Sequence, residues 1–152
     1  MQVVLMRNER DCQISSLGSA TGKTYEQVSQ AFKPLPAQDP IDSNPESLYY
    51  ALIRLGFWKR NITWTMLEQR KALPEKTVIL VHNAASPYLV QHWIVLAKYD
   101  DNGIWAYWGD RVEPRLKSWA EMKHLFLDGF PNSCFQVIND TAWERFKRWI
   151  GI

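Results

Sequence analysis

Cys12, His92 and Asp110 are the residues of this chain whose types and spacing suit nucleophilic chemistry. Cys12 stands in Asp11-Cys12-Gln13-Ile14-Ser15-Ser16-Leu17-Gly18-Ser19-Ala20. Small residues surround two apolar ones there, Ile14 and Leu17, and their spacing predicts a helix that opens at Cys12. A helix N-terminus carries unpaired N–H groups and a partial positive charge, which stabilise a thiolate and so lower the thiol pKa. The thiolate is the nucleophilic form. The competing reading is a core cysteine, because free Cys is among the most buried residue types.

His92 begins the apolar run His92 to Tyr99, and Asp110 follows the run Ile104 to Trp108. Asp100-Asp101-Asn102-Gly103 between them is a strong hairpin signal. Pairing across that turn sets His92 and Asp110 near the same sheet edge. A carboxylate there bonds one imidazole nitrogen and fixes the tautomer, leaving the other nitrogen for the thiol. The competing readings are a strand-end histidine bonded to a backbone carbonyl, and a turn aspartate capping its own backbone. Asn102 is a weaker orienting candidate and reads as the hairpin turn itself. Trp93 and Trp108 flank the proposed site and wall a substrate groove or fill the core. Cys134, within a strand pattern, reads as core, and His82 and His124 as structural or exposed. The three histidines are widely spaced and only two cysteines are present, so no tight zinc pattern forms. No metal or cofactor is expected.

The elements that must position these residues follow from local signals. Met1 to Met6 reads as a short strand. Cys12 to Ala20 is the first helix, closed by Gly22. Thr24 to Gln27 forms a capping box that opens a second helix, Tyr25 to Phe32. Lys33 to Ser43, with Pro34, Pro36 and Pro40, is a loop. Asn44 caps a third helix with Pro45 at its first position and Gly56 at its end. One or two helical turns are expected over Thr65 to Arg70, then strands over Thr77 to Val81, His92 to Tyr99 and Ile104 to Trp108. Ser118 to Glu121 is a second capping box, opening a helix through Leu127. Ser133 to Ile138 is the last strand, and Asp140 or Thr141 caps a C-terminal helix ending near Trp149. Helices first and an antiparallel meander afterwards, with one helix inserted, give an α+β domain.

The chain has 152 residues, 46% hydrophobic and 22% charged, with a net charge of +2. Those totals fit one globular domain over 1–152 and are too mild to demand a nucleic-acid partner. No apolar run is long enough to span a bilayer, and no secretory signal pattern opens the sequence. A reducing cytoplasm is therefore expected, with Cys12 free to react. The Arg145, Lys147 and Arg148 cluster beside Trp143 and Trp149 reads as a solvated helix face.

Asp11-Cys12, the stretch Ala20 to Val28, the strand Thr77 to Val81, His92-Trp93-Ile94-Val95-Leu96, the Asp-Asn-Gly hairpin, Gly109-Asp110 and the Trp119 to Leu127 helix together form a longer pattern. From Asn8 to about Ile138 it resembles the papain-like cysteine peptidases, most closely their bacteriocin-processing branch. The resemblance implies a papain-like fold, with N-terminal helices packed on a small antiparallel sheet. It further implies Cys12 as nucleophile, His92 as general base, Asp110 as the residue orienting it, and a peptide or protein substrate. The family's oxyanion hole joins the nucleophile's own N–H to a Gln a few residues upstream. Here Met6 takes that place, and Asn8 is preferred over Gln2 as the substitute donor. Gln13 and Gln91 stand where the family commonly has Gly, and Arg111 stands where it has Pro. The alternative function is an inactive papain-like module, for instance phage- or plasmid-encoded, that binds a protein partner. Met6 is the feature in its favour. Neither reading expects a membrane partner, and neither sets an oligomeric state.

Overall fold

The computed structural model describes residues 4–5, 7, 11–33, 45–71, 73–83, 91–100, 103–107, 115–118, 120–121 and 130–152. Cys12, residues 45–46, 80–83 and 130–133, and the strands at 91–100, 103–107 and 115–117 are placed by their backbone. The helices are α1 (Cys12–Thr21), α2 (Tyr25–Phe32), α3 (Pro45–Arg54), α4 (Trp64–Arg70) and α5 (Ala142–Ile150). The strands are β1 (Phe57–Asn61), β2 (Thr77–Asn83), β3 (Gln91–Asp100), β4 (Gly103–Tyr107), β5 (Arg115–Lys117) and β6 (Phe130–Asn139).

The helix ends follow the chemistry of their sequences. Gly22 closes α1 in the left-handed region at φ 73°, and its N–H reaches the Gly18 carbonyl. At α2 the Gln27 N–H donates to Thr24 Oγ1 at 3.2 Å, while the Thr24 N–H donates to Gln27 Oε1 at 2.9 Å. The expected capping box is therefore complete. A second one is present at Ser118 and Glu121, with bonds of 3.3 and 3.0 Å. Thr63 caps α4 through the Met66 N–H, and Thr141 caps α5 through the Glu144 N–H. Asp140, the other candidate cap for α5, instead pairs with Arg148.

The described strands form one antiparallel sheet in the order β1-β6-β2-β3-β4-β5. The run from β2 to β4 is the expected meander, and β5 extends it. β6 departs from it: the last strand returns to the far side of β2 and lies between β2 and β1. β1 and β5 were not expected as strands. The β3–β4 hairpin forms as expected but closes with Asp100 opposite Gly103, one step from the register of a two-residue Asn102-Gly103 turn, which would set Asp101 opposite Ile104.

α1 packs on α2, α2 on α3, α3 on β1, and α1 on β2 and β3. Ile14, Leu17 and Ala20 of α1 share one buried cluster with Val28 and Phe32 of α2, Leu48 and Leu52 of α3, and Phe57, Val78, Phe135 and Val137 of the sheet. Neighbours along a strand face opposite ways. Ile79, next to Val78, is buried too, as are Ile62, Leu67 and Leu73 on the path from β1 to β2. Both faces of β2 are thus covered at Val78 and Ile79. Its continuous apolar run matches that placement.

The N-terminal strand expectation is corrected at Val4 and Leu5, which are not in a strand. Val4 is instead stitched to α1. Its N–H donates to Ser19 Oγ at 2.9 Å, and its carbonyl accepts from the Ser15 hydroxyl. A Cβ added at Gly18 would lie 2.8 Å from Val4 Cγ2 and 3.1 Å from the Lys23 carbonyl oxygen. Ser15, Gly18 and Ser19 thus let Val4 lie close against the helix.

Candidate active site

Cys12 is the first residue of α1, and Asp11 holds the N-cap position. The Asp11 side chain does not cap the helix. It turns to its surroundings, where Oδ2 accepts the Arg7 N–H at 2.9 Å and the Tyr25 hydroxyl at 2.6 Å. Asp11 is buried, so these donors offset the desolvation of a carboxylate. Burial first, then the hydrogen bond to Asp11 and its charge, push the Tyr25 hydroxyl up to about 12. The phenol stays protonated and keeps donating. The Arg7 guanidinium lies 4.0 Å from the centre of the Tyr25 ring and pairs with Glu26, holding that carboxyl below its ordinary range. Residues 7 and 11, at the two ends of the approach to the cysteine, are thereby tied to the start of α2.

Behind Cys12 the helix is anchored by burial. Every residue from Gln13 to Ala20 is buried. Gln13 is fully buried, and its amide nitrogen and oxygen find no partner among the described residues. A buried amide without partners costs about 1–3 kcal/mol.

His92 is the second residue of β3 and pairs with His82 of β2. Gln91 opposes Asn83, and Trp93 opposes Val81. α1 lies against these two strands. The fold therefore brings the helix opened by Cys12 onto the strand that begins at Gln91 and His92. Asp110, Trp108, Asn8, Gln2 and Met6 lie outside the described residues. Asp110 follows by three positions Tyr107, the end of β4, which is the strand paired with β3.

Cys134 is half-buried in β6 opposite Ile79, and burial pushes its thiol up to about 12. That shift favours the protonated thiol; the side chain is only partly buried, short of the core position read from the sequence. Among the described residues no three His, Cys, Asp or Glu side chains gather as a metal site. Sequence reasoning missed Tyr25 and Arg7 as supports of the Cys12 approach. The only signal was the position of Tyr25 directly after a capping Thr, which fixes where the ring starts but not what it meets.

No protein-family model matches the chain, and no curated protein matches it in sequence. Solved structures match in fold. One is the peptidase domain of Streptococcus ComA, a bifunctional ABC transporter involved in quorum sensing. It aligns with a TM-score of 0.59 at 15% identity, covering 91% of this chain and 98% of that one. Another is a double-glycine-motif protease from an AMS/PCAT transporter, solved in complex with the leader peptide. Its TM-score is 0.57 at 13% identity, over 91% of each chain. The chain has the fold of these peptidase domains: N-terminal helices packed on a small antiparallel sheet.

Proposed function

We propose that the chain is a thiol-dependent hydrolase of the papain-like, bacteriocin-processing type, acting on a peptide or amide bond. The observation that carries this reading is the buried helix α1, opened by Cys12 and laid against the strand that carries His92, in a fold shared with two peptidase domains. His92 takes the Cys12 proton, and the sulfur attacks the carbonyl carbon. The tetrahedral oxyanion rests on the Cys12 N–H and on Asn8, which replaces the amide missing at Met6. The amine leaves with the proton from His92, and a thioester remains. Water, deprotonated by His92, hydrolyses it and restores the thiol. Asp110 holds the imidazole tautomer, and Trp93 and Trp108 wall the groove for the peptide. One neighbour was solved with a leader peptide bound, which favours a peptide over other amides.

The test is cleavage of a mixed peptide library read by mass spectrometry, with the wild type and Cys12→Ala side by side. Site-selective cleavage that vanishes in Cys12→Ala, with thioester-linked mass trapped on the wild type at short times, supports the hydrolase. An intact library with both proteins, and capture of one protein partner by both alike, supports the inactive binding module that Met6 favours.

A further inference from the structure

The C-terminal helix α5 carries a surface that the Cys12 chemistry does not use. Thr141 and Gly151 cap its ends, and none of its residues is buried. Trp149 is 82% exposed and Trp143 60%, and Phe146, Ile150 and Ile152 are exposed as well. At the helical repeat, Trp143, Phe146, Trp149 and Ile150 fall within an arc of roughly 120°. Their rings form a continuous strip, with centroids 5.7 Å apart for Trp143 and Phe146 and 6.3 Å for Phe146 and Trp149. Arg145 borders the strip on one side and Lys147, which pairs with Glu144 at 2.6 Å, on the other. The opposite face holds the helix to the sheet: Arg148 pairs with Asp140, and its guanidinium lies 4.2 Å from the Trp58 ring.

We propose that this strip seats in the headgroup region of an anionic lipid bilayer, with α5 lying parallel to the membrane surface. Tryptophan and isoleucine on one face, cations at its borders and a polar back describe a helix that binds at an interface. No helix among the described residues is long and apolar enough to cross a membrane. Charge selects the occupant. A second copy laid antiparallel on the strip sets the Arg145 border of one helix against the Arg145 border of the other, and a parallel one sets Arg145 against the Lys147–Glu144 pair. An anionic surface meets the Arg145 border favourably and competes with Glu144 for Lys147; each cation left to it adds about 1 kcal/mol, or roughly fivefold in affinity. From sequence alone the cations read as a solvated face; the structure adds that the aromatic residues between them are solvated too. This inference is independent of the thiol chemistry.

The full chain is tested by co-sedimentation with vesicles of phosphatidylcholine alone and of phosphatidylcholine mixed with phosphatidylglycerol. The expected result is pelleting with the mixed vesicles, at least about tenfold weaker with phosphatidylcholine alone and reduced by added salt. Phe146→Ser with Trp149→Ser, and separately Arg145→Glu, lower it by about tenfold or more. The melting temperature of each variant stays near that of the wild type, because these side chains are exposed. No pelleting with the mixed vesicles overturns the proposal, as does pelleting that survives the double substitution. A dimer in light scattering that the double substitution dissolves, with no vesicle binding, assigns the strip to a second copy and overturns it too.

Discussion

Helices α1 and α5 are nearly equal in length, ten and nine residues, yet they are held in opposite ways. From Gln13 onward α1 is buried through Ala20, with no charged residue after Asp11. α5 buries nothing, and four of its nine residues are charged. The core fixes the position of α1. An ion pair, an arginine stacked on Trp58 and two caps fix α5. A group at the first residue of α1 therefore inherits the rigidity of the whole core, which suits a nucleophile. A surface on α5 is free to meet something outside the protein.

The sharpest way to break this contrast is to remove buried volume. Leu17→Ala deletes a fully buried side chain of α1 and is expected to cost about 2–5 kcal/mol in denaturant unfolding. A loss below about 1 kcal/mol would show that α1 is not the anchor described. Tyr25→Phe comes next. It removes the hydroxyl donated to buried Asp11, and a hydrogen bond to a charged group contributes about 1.5–3 kcal/mol. It also carries a pH signature. The hydroxyl pKa is raised to about 12 from 10.0 on folding, so its contribution is complete below pH 10 and fades as pH rises toward 12. Melting temperatures measured across that window should fall more steeply for the wild type than for Tyr25→Phe. Parallel curves would remove the Tyr25–Asp11 contact from the account.

A third substitution changes the sign. Gln13→Met keeps roughly the same volume and deletes a buried amide that has no partner among the described residues. Chemical denaturation should show about 1 kcal/mol of added stability. A loss of stability would mean that the amide is satisfied in solution. The smallest effect belongs to α5, where Trp149→Ser should change stability by less than about 0.5 kcal/mol. A larger drop would mean that the exposed strip packs on the protein after all.

Much of the fold was legible because its signals are local. The bounds of α2, the capping boxes at Thr24 and Ser118, the Gly22 cap and the β3–β4 hairpin all follow from residues within four positions of one another. Other parts depend on contacts the sequence does not order. Phe57-Trp58-Lys59-Arg60-Asn61 has neither alternation nor an apolar run, and it becomes β1 because β6 pairs with it. The three residues of β5 become a strand through β4 in the same way. The place of β6 between β1 and β2 is set by the shared core of Phe135, Val137 and Val78, not by chain order. At Val4 the apolar pattern suggested a strand, but Ser15 and Ser19 offered the backbone partners that a neighbouring strand would have supplied.

The candidate site divides along the same line. The type and helical position of Cys12 were legible, and so was the strand of His92. The buried carboxylate beside the cysteine, with a tyrosine fourteen residues on as its donor, was not. Hydrogen bonding across two helices leaves no periodic trace in a sequence.

A reactive thiol at Cys12 paired with His92 would show itself in the pH dependence of iodoacetamide alkylation. Cys134→Ser is placed in every protein so that one thiol remains, and rates are compared with and without His92→Ala. Cys12 is expected to react well below pH 7, and this low-pH reactivity to disappear with His92→Ala. A Cys12 that titrates near the ordinary thiol value of about 8.5, whether or not His92 is present, would contradict it.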